Sequence, residues 1–328
     1  MFEEILVPLD GSPLAECVLP HVVAFAHAND SRVTLLRVLD PSEAMARPRS
    51  VDPFDWQIRK AEAETYLRGL AGVLEEAGIT PHVEALEGMA AEMTIEYAHS
   101  HDLKLIIMSS HGQSGISGWN VSSVVQKIIS RAQTSIMIVP AYKPSAEGIG
   151  DLHYRRILVP LDGSQRAEIV LPAAIALARY HHGEVLVAHV VRKPEMPRRT
   201  PLSIDDIELV NQVIERNKTE AVRYLDELKS RQDVKIDTRL SVGENIRAEL
   251  HEIVNQDEIE LVCLSAHGYS GETQWPYGST VISFIAFSTT PLLVVQDLPA
   301  DRIEPTEAEL AARNQGRALA HDRPSPSN

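Results

Sequence analysis

The sequence predicts two successive doubly wound α/β domains, each a five-stranded parallel sheet flanked by helices, and three observations carry that prediction. First, the octapeptide ILVPLDGS stands at residues 5–12 and again at 157–164, and a repeat read first keeps the whole fold from being misassigned. The register persists: Leu19-Pro20 returns as Leu171-Pro172 and Val33–Leu39 as Val185–Val191, 152 residues on, while SSHG at 109–112 returns as SAHG at 265–268 and Ser135–Val139 as Pro291–Val295, 156 residues on. Second, short Val-, Ile- and Leu-rich runs alternate with longer amphipathic stretches, the pattern of parallel strands joined by crossover helices. Third, 328 residues accommodate two copies of about 140–145 residues, each long enough to bury its own core.

Taken in order, the strands of the first copy read as Glu4–Leu9, Arg32–Leu39, Thr80–Glu87, Lys104–Ser109 and Ser135–Pro140. Those of the second read as Arg155–Leu161, Glu184–Val191, Lys235–Val242, Glu260–Ser265 and Pro291–Gln296, and a helix fills each of the four gaps in a copy. Helix one starts at Ser12-Pro13, because a serine hydroxyl caps free N–H groups and proline suits the first helical position; Ser164 keeps the cap in the second copy. The stretches Asp40–Pro53 and Arg192–Ser203 each carry three prolines, so both read as long loops after strand two and as candidate lids. The resulting division is domain one at 1–141, a linker at 142–154, domain two at 155–297 and a polar, largely disordered tail at 298–328.

A net charge of −15 argues against nonspecific binding to nucleic acid or to anionic membrane, so any phosphate must be held locally. Cys17 and Cys263 lie in apolar stretches without a CxxC or metal pattern and read as buried thiols of a reducing compartment. No apolar run reaches spanning length and the first ten residues do not read as a signal peptide. A cytoplasmic protein is expected.

Ligands of open parallel sheets bind beyond the carboxyl ends of the strands where the strand order reverses, between strands one and four. Those two ends hold the most repeated polar residues: Pro8, Asp10 and Ser12 with Ser109, His111 and Gly112, then Pro160, Asp162 and Ser164 with Ser265, His267 and Gly268. A loop follows each His-Gly pair, and then a helix opening with Ser122-Ser123 or Gly278-Ser279. Main-chain amides at such a helix start favour an anion.

On these motifs, from Phe2 to Gln296, the chain resembles a tandem member of the universal stress protein family. The family's nucleotide-binding fingerprint is G-x2-G-x9-G followed by Ser or Thr, with an Asp ending strand one. The second copy reads Ser265-x2-Gly268-x9-Gly278-Ser279, lacking one glycine, and the first reads Ser109-x2-Gly112-x9-Ser122-Ser123, lacking two. A Cβ at a close-approach position blocks positive φ or crowds a phosphate, so the second copy is the better candidate. The resemblance implies Asp10 and Asp162, with Pro8 and Pro160 beside them, at the adenosine end. It puts the backbone of Val38 and Val190 at the adenine edge, with Gly112, Ser122 and Ser123, or Gly268, Gly278 and Ser279, at the phosphates. ATP, or AMP or ADP, with Mg²⁺ is the implied ligand.

Plainer readings stand beside these. Asp10 and Asp162 also suit a strand-ending Asp-Gly turn; His111 and His267 read as donors to a neighbouring carbonyl that shape the loop; Trp119, Trp275 and Tyr277 read as cover for the core rather than base-stacking groups. The apolar runs 136–139 and 292–295 would leave sticky sheet edges, so pairing of the domains through strand five is expected, with a further homodimer compatible. No P-loop, kinase or zinc-enzyme motif is present. The leading expectation is a stress-response protein that binds ATP and acts through conformation, assembly and protein partners. The alternatives are a slow ATP hydrolase, with Asp162 or His267 positioning water, and a nucleotide-free interaction module.

Overall fold

The computed structural model describes residues 2–40, 53–113, 115, 121–141, 148–196, 203–232, 234–268 and 276–297. Most of the two expected lids, the linker core 142–147, the tail from 298, Trp119 and Trp275 lie outside the described residues. Contacts divide the chain into two units, Phe2–Leu152 and His153–Asp297.

The first unit runs β1 (Glu4–Pro8), α1 (Pro13–Glu16), α2 (Leu19–Asn29), β2 (Arg32–Leu39), α3 (Pro53–Glu76), β3 (His82–Glu87), α4 (Ala90–Ser100), β4 (Leu105–Ser109), α5 (Ser123–Arg131) and β5 (Ser135–Val139). Its strands lie in the order β3-β2-β1-β4-β5, with parallel registers such as Ile5↔Val33 and Ile5↔Leu105. Both β4 and β5 are buried at every position, as strands covered by helices on both faces must be.

The second unit repeats this as β6 (Arg156–Pro160), a 3₁₀ turn (Ala167–Val170), α6 (Leu171–Tyr180), β7 (Glu184–Arg192), α7 (Ile204–Ser230), β8 (Ile236–Gly243), α8 (Ile246–Gln256), β9 (Leu261–Ser265), α9 (Ser279–Phe287) and β10 (Leu292–Val295). Its order is β8-β7-β6-β9-β10, so in each unit the order reverses between strands one and four.

Helix one departs from expectation by dividing in two. Pro20 and Pro172 stand at the start of α2 and α6, and a residue without an N–H cannot continue the hydrogen-bond ladder from the turn before it. The Ser12 cap is present, its Oγ accepting from Ala15 N at 3.2 Å, and Ser164 does the same for Ala167 N at 3.2 Å. Cys17 and Cys263 are both buried free thiols.

Candidate functional site

The strand-one turn is built identically in both units. Asp10 Oδ1 accepts from Ser12 N at 3.0 Å and Ser12 Oγ at 2.7 Å, and Asp162 Oδ1 accepts from Ser164 N at 3.0 Å and Oγ at 2.6 Å. The intervening Gly11 and Gly163 have φ of +84° and +88°, a left-handed geometry open to glycine. The turn-forming role of the aspartates is therefore real, and it occupies one carboxylate oxygen of each. In the first unit Gln113 N donates to Asp10 Oδ2, so the second oxygen is engaged as well.

Gly112 and Gly268 sit against those carboxylates. A Cβ on either would collide with Asp10 Oδ2 or Asp162 Oδ2. These glycines make room for the strand-one carboxylate, whatever else they meet.

The helix starts differ between the units in one informative way. Ser122 and Gly278 have the same backbone, φ −70° and ψ 163° against φ −71° and ψ 164°, and the same anchor, Ser122 N to Ser110 O at 2.8 Å and Gly278 N to Ala266 O at 2.7 Å. Positive φ is thus not what the motif glycine supplies here, which removes one of the two reasons given for it from the sequence and leaves the other, room beside a phosphate. What differs is the side chain: Ser122 Oγ accepts from Val125 N at 3.3 Å, whereas Gly278 offers no cap. The first turn of α9 keeps its amide donors unclaimed by any capping side chain, and such donors attract anions.

That turn opens on a cavity of about 1410 Å³ in the second unit, lined among others by Pro160, Asp162, Val190, Gly268, Gly278 and Ser279. All six residues singled out in the second copy therefore share one space. Val190 faces it by strand parity. Leu161 N donates to Ala188 O at 2.9 Å, so Val190, two residues on, turns its N–H and C=O the same way, while the β6–β7 register ends at Pro160↔Ala188. Val38 stands in the matching place, since Leu9 N donates to Leu36 O at 2.8 Å. Pro8 ends β1, opposite Leu36, and Ser123 opens α5.

Several cavity residues carried no motif. Arg192, ion-paired with Glu195, and Arg247, in the first turn of α8, line the cavity together with Glu220 and Glu244. His189 binds Leu161 O through Nδ1 at 2.9 Å; burial pushes it down, against the pull of that carbonyl and of Asp162. Its counterpart in the first unit is Arg37, whose guanidinium packs against Gly11 and lies 5.1 Å from the centre of the Tyr66 ring. Tyr66 in turn donates to Glu16 Oε1 at 3.0 Å. The signal for Arg37 and His189 is their exchange between copies at one offset.

The histidines divide. His111 Nδ1 lies 3.1 Å from Ser110 Oγ. His267 does not serve a neighbouring carbonyl through Nδ1: that atom lies 2.7 Å from Asp297 Oδ1, both side chains being enclosed. Tyr277 is 4% exposed, in keeping with its reading as core cover. Among the described residues no cluster of three His, Cys, Asp or Glu side chains forms a metal site.

The profile of the Universal stress protein family matches residues 1–140 and 153–296. Two proteins of Methanocaldococcus jannaschii, Universal stress protein MJ0531 and Universal stress protein MJ0577, are each 27% identical to the chain, over 45% and 42% of its length and 86% and 95% of theirs. A universal stress protein structure from Archaeoglobus fulgidus superposes with a TM-score of 0.66 at 19% identity, covering 91% of this chain and all of that one. A functionally unknown protein from Pseudomonas aeruginosa PAO1 gives 0.64 at 13% identity over 97% and 98%. These likenesses speak to the fold, in its two-domain form. With both halves matched by the profile, the chain belongs to the universal stress protein family.

Proposed function

We propose that the second unit binds ATP or another adenine nucleotide, and that the protein serves a stress response by holding it. The observation that carries this reading is the uncapped start of α9 at Gly278, facing a cavity whose other walls are the strand-one carboxylate and the open edge of Val190. In this reading adenine meets the Val190 main chain and the adenosine end lies by Asp162 and Pro160. The phosphates lie at Gly268, Gly278 and Ser279 and meet the free amides of the first turn of α9, the Gly278 N–H itself being held by Ala266 O, where helix-start dipoles favour negative charge. Mg²⁺, with no cluster of protein ligands among the described residues, would be held by phosphate oxygens.

The first unit is the weaker candidate. At Asp10, Val38, Gly112, Ser122 and Ser123 the geometry is similar, but Ser122 caps its own helix and Arg37 lies on the Asp-Gly turn. Of the two groups that could position water, the His267 ring is enclosed and tied to Asp297, which favours holding over consuming the nucleotide and leaves Asp162 as the group to test for hydrolysis. The domain limits 1–141 and 155–297, pairing of the halves through their apolar fifth strands, a homodimer, partner proteins and a cytoplasmic site of action belong to the same proposal on sequence grounds. No described helix is long and apolar enough to cross a membrane.

The test is incubation with ATP and Mg²⁺, desalting, and assay of retained nucleotide and released phosphate. Retention without turnover is expected. Phosphate release well above background would make the protein a hydrolase, and the absence of both retention and release would make it a nucleotide-free interaction module.

A further inference from the structure

Beneath the cavity wall lies a side-chain chain that the nucleotide fingerprint does not contain. Asp297, just past β10 and 2% exposed at its side chain, receives Arg166 Nε on Oδ2 and faces His267 Nδ1 with Oδ1 at 2.7 Å. The His267 side chain is wholly enclosed, and Arg166 is 29% exposed. A carboxylate can only accept, so Nδ1 carries a proton and donates to Asp297. The guanidinium on the other oxygen supplies the countercharge that a buried carboxylate requires. Three distant segments thereby meet: the turn after β6, the exit of β9 and the exit of β10.

The first unit keeps the histidine and loses the rest. At the equivalent offsets Arg166 becomes Leu14 and Asp297 becomes Ala141, while His267 remains His111, whose Nδ1 rests 3.1 Å from Ser110 Oγ. Both partners change together from a charged pair to two apolar residues. Such joint exchange is what a buried pair demands, because either charge alone would be stranded.

We propose that Asp297 is a positioning residue for the nucleotide site of the second unit, acting with Arg166 to clamp His267 and so hold the main chain of Gly268 in place before ligand arrives. The inference rests on the proposed nucleotide reading for its consequence, and on geometry alone for its mechanism. His267 directly precedes Gly268, which must also clear Asp162. A ring locked from behind limits how far that peptide can turn, and a preformed site avoids the cost of ordering at binding.

The experiment compares the full-length protein with Asp297→Asn and Asp297→Ala by amide hydrogen exchange and by ATP titration. Without nucleotide, Asp297→Ala should speed exchange of the Ala266 and Gly278 amides, whose bonds to Val295 O and Ala266 O hold this segment, roughly tenfold relative to β7 amides such as Val187, because the buried His267 donor loses its partner and the segment loosens. Normalising to β7 removes any general loss of stability. Asp297→Asn, whose amide oxygen still accepts from Nδ1–H, should restore part of the protection. In the wild type the His267 ring should give a protected Nδ1–H proton signal, absent in Asp297→Ala. ATP affinity should fall roughly tenfold in Asp297→Ala and less in Asp297→Asn. Unchanged normalised exchange overturns the proposal whether or not ATP binds. Lost protection with unchanged affinity overturns the positioning role, and a wild-type protein that binds no ATP overturns the functional reading while the exchange arm still decides the clamp.

Discussion

Gly268→Ala tests whether the glycine at the exit of β9 serves the strand-one carboxylate. An added Cβ would overlap Asp162 Oδ2 and stand 3.2 Å from its Cγ. Gly268 is not among the positive-φ glycines, so the cost is collision rather than backbone strain. To clear the methyl group Asp162 must swing off, giving up the bonds from Ser164 N at 3.0 Å and Ser164 Oγ at 2.6 Å. Enclosed, two bonds to a carboxylate are worth about 1.5–3 kcal/mol each. Asp162 is exposed and water takes up much of the loss, leaving a net cost of about 1–2 kcal/mol. Asp162→Ala removes the obstacle together with the bonds, so Gly268→Ala should cost almost nothing in that background, a coupling of about 1 kcal/mol or more. Native-state hydrogen exchange of β6 and β7 amides is the suitable assay, because a chain of two units need not unfold in one step. Additive costs in the double variant would refute the reasoning.

Gly278→Ser would give α9 the cap that Ser122 gives α5. With φ already at −71° and an added Cβ no closer than 3.5 Å to Ala266 O, it should raise helix stability by a few tenths of a kcal/mol while lowering ATP retention; Gly278→Val should abolish retention, and unchanged binding in both would reject this helix start as the phosphate site. His21, enclosed in α2, is pushed down from 6.5 to about 4 by burial. Below 6.5 the unfolded chain takes up a proton that the folded residue refuses, so stability should fall as pH drops from 6.5 towards 4 and then level off, by at most about 3 kcal/mol. Urea titrations across that range should show the slope flattened in His21→Asn, and an unaltered slope would exclude His21 as its source.

The fold was legible because strand runs and their repeat are local signals. Each observed strand begins and ends within two residues of its expected place, and the strand order follows from the doubly wound pattern. Helix starts were legible where one side chain does the capping, as at Ser12. The start of α7 was not recognised, although Ser203 and Asp206 form a reciprocal cap there, Ser203 Oγ accepting from Asp206 N at 3.1 Å and Asp206 Oδ2 from Ser203 N at 2.9 Å. Residues that touch only through the fold stayed hidden. Tyr66 meets Glu16 across 50 residues, and Asp297 meets Arg166 across 131; no spacing rule encodes either contact. The role of Gly112 and Gly268 was half legible, since the motif marks them for phosphate while a carboxylate of the chain itself already requires the space.

A duplicated chain carries its own control. Where the two halves share a residue and its geometry, as at Asp10 and Asp162 with their serines, the fold alone is reason enough for the residue, and ligand binding need not be invoked. Where they share the backbone and differ in chemistry, the fold has been satisfied twice by different side chains, so the choice between them is free to answer to a ligand. Ser122 against Gly278 is such a position, with φ and ψ equal within 1°; Arg37 against His189, in matching strands, and the Leu14–Ala141 pair against Arg166–Asp297 differ in chemistry at equivalent places in the sequence. These exchanges fall at the carboxyl ends of the strands or in the turns beside them, and they point one way: the first unit closes its helix start and places a guanidinium on its turn, while the second leaves amides open and braces the histidine behind them. Transplanting Gly278 and the Arg166–Asp297 pair into the first unit should therefore increase the nucleotide it holds, and a transplant that folds yet gains none would mean that these exchanges do not decide which half binds.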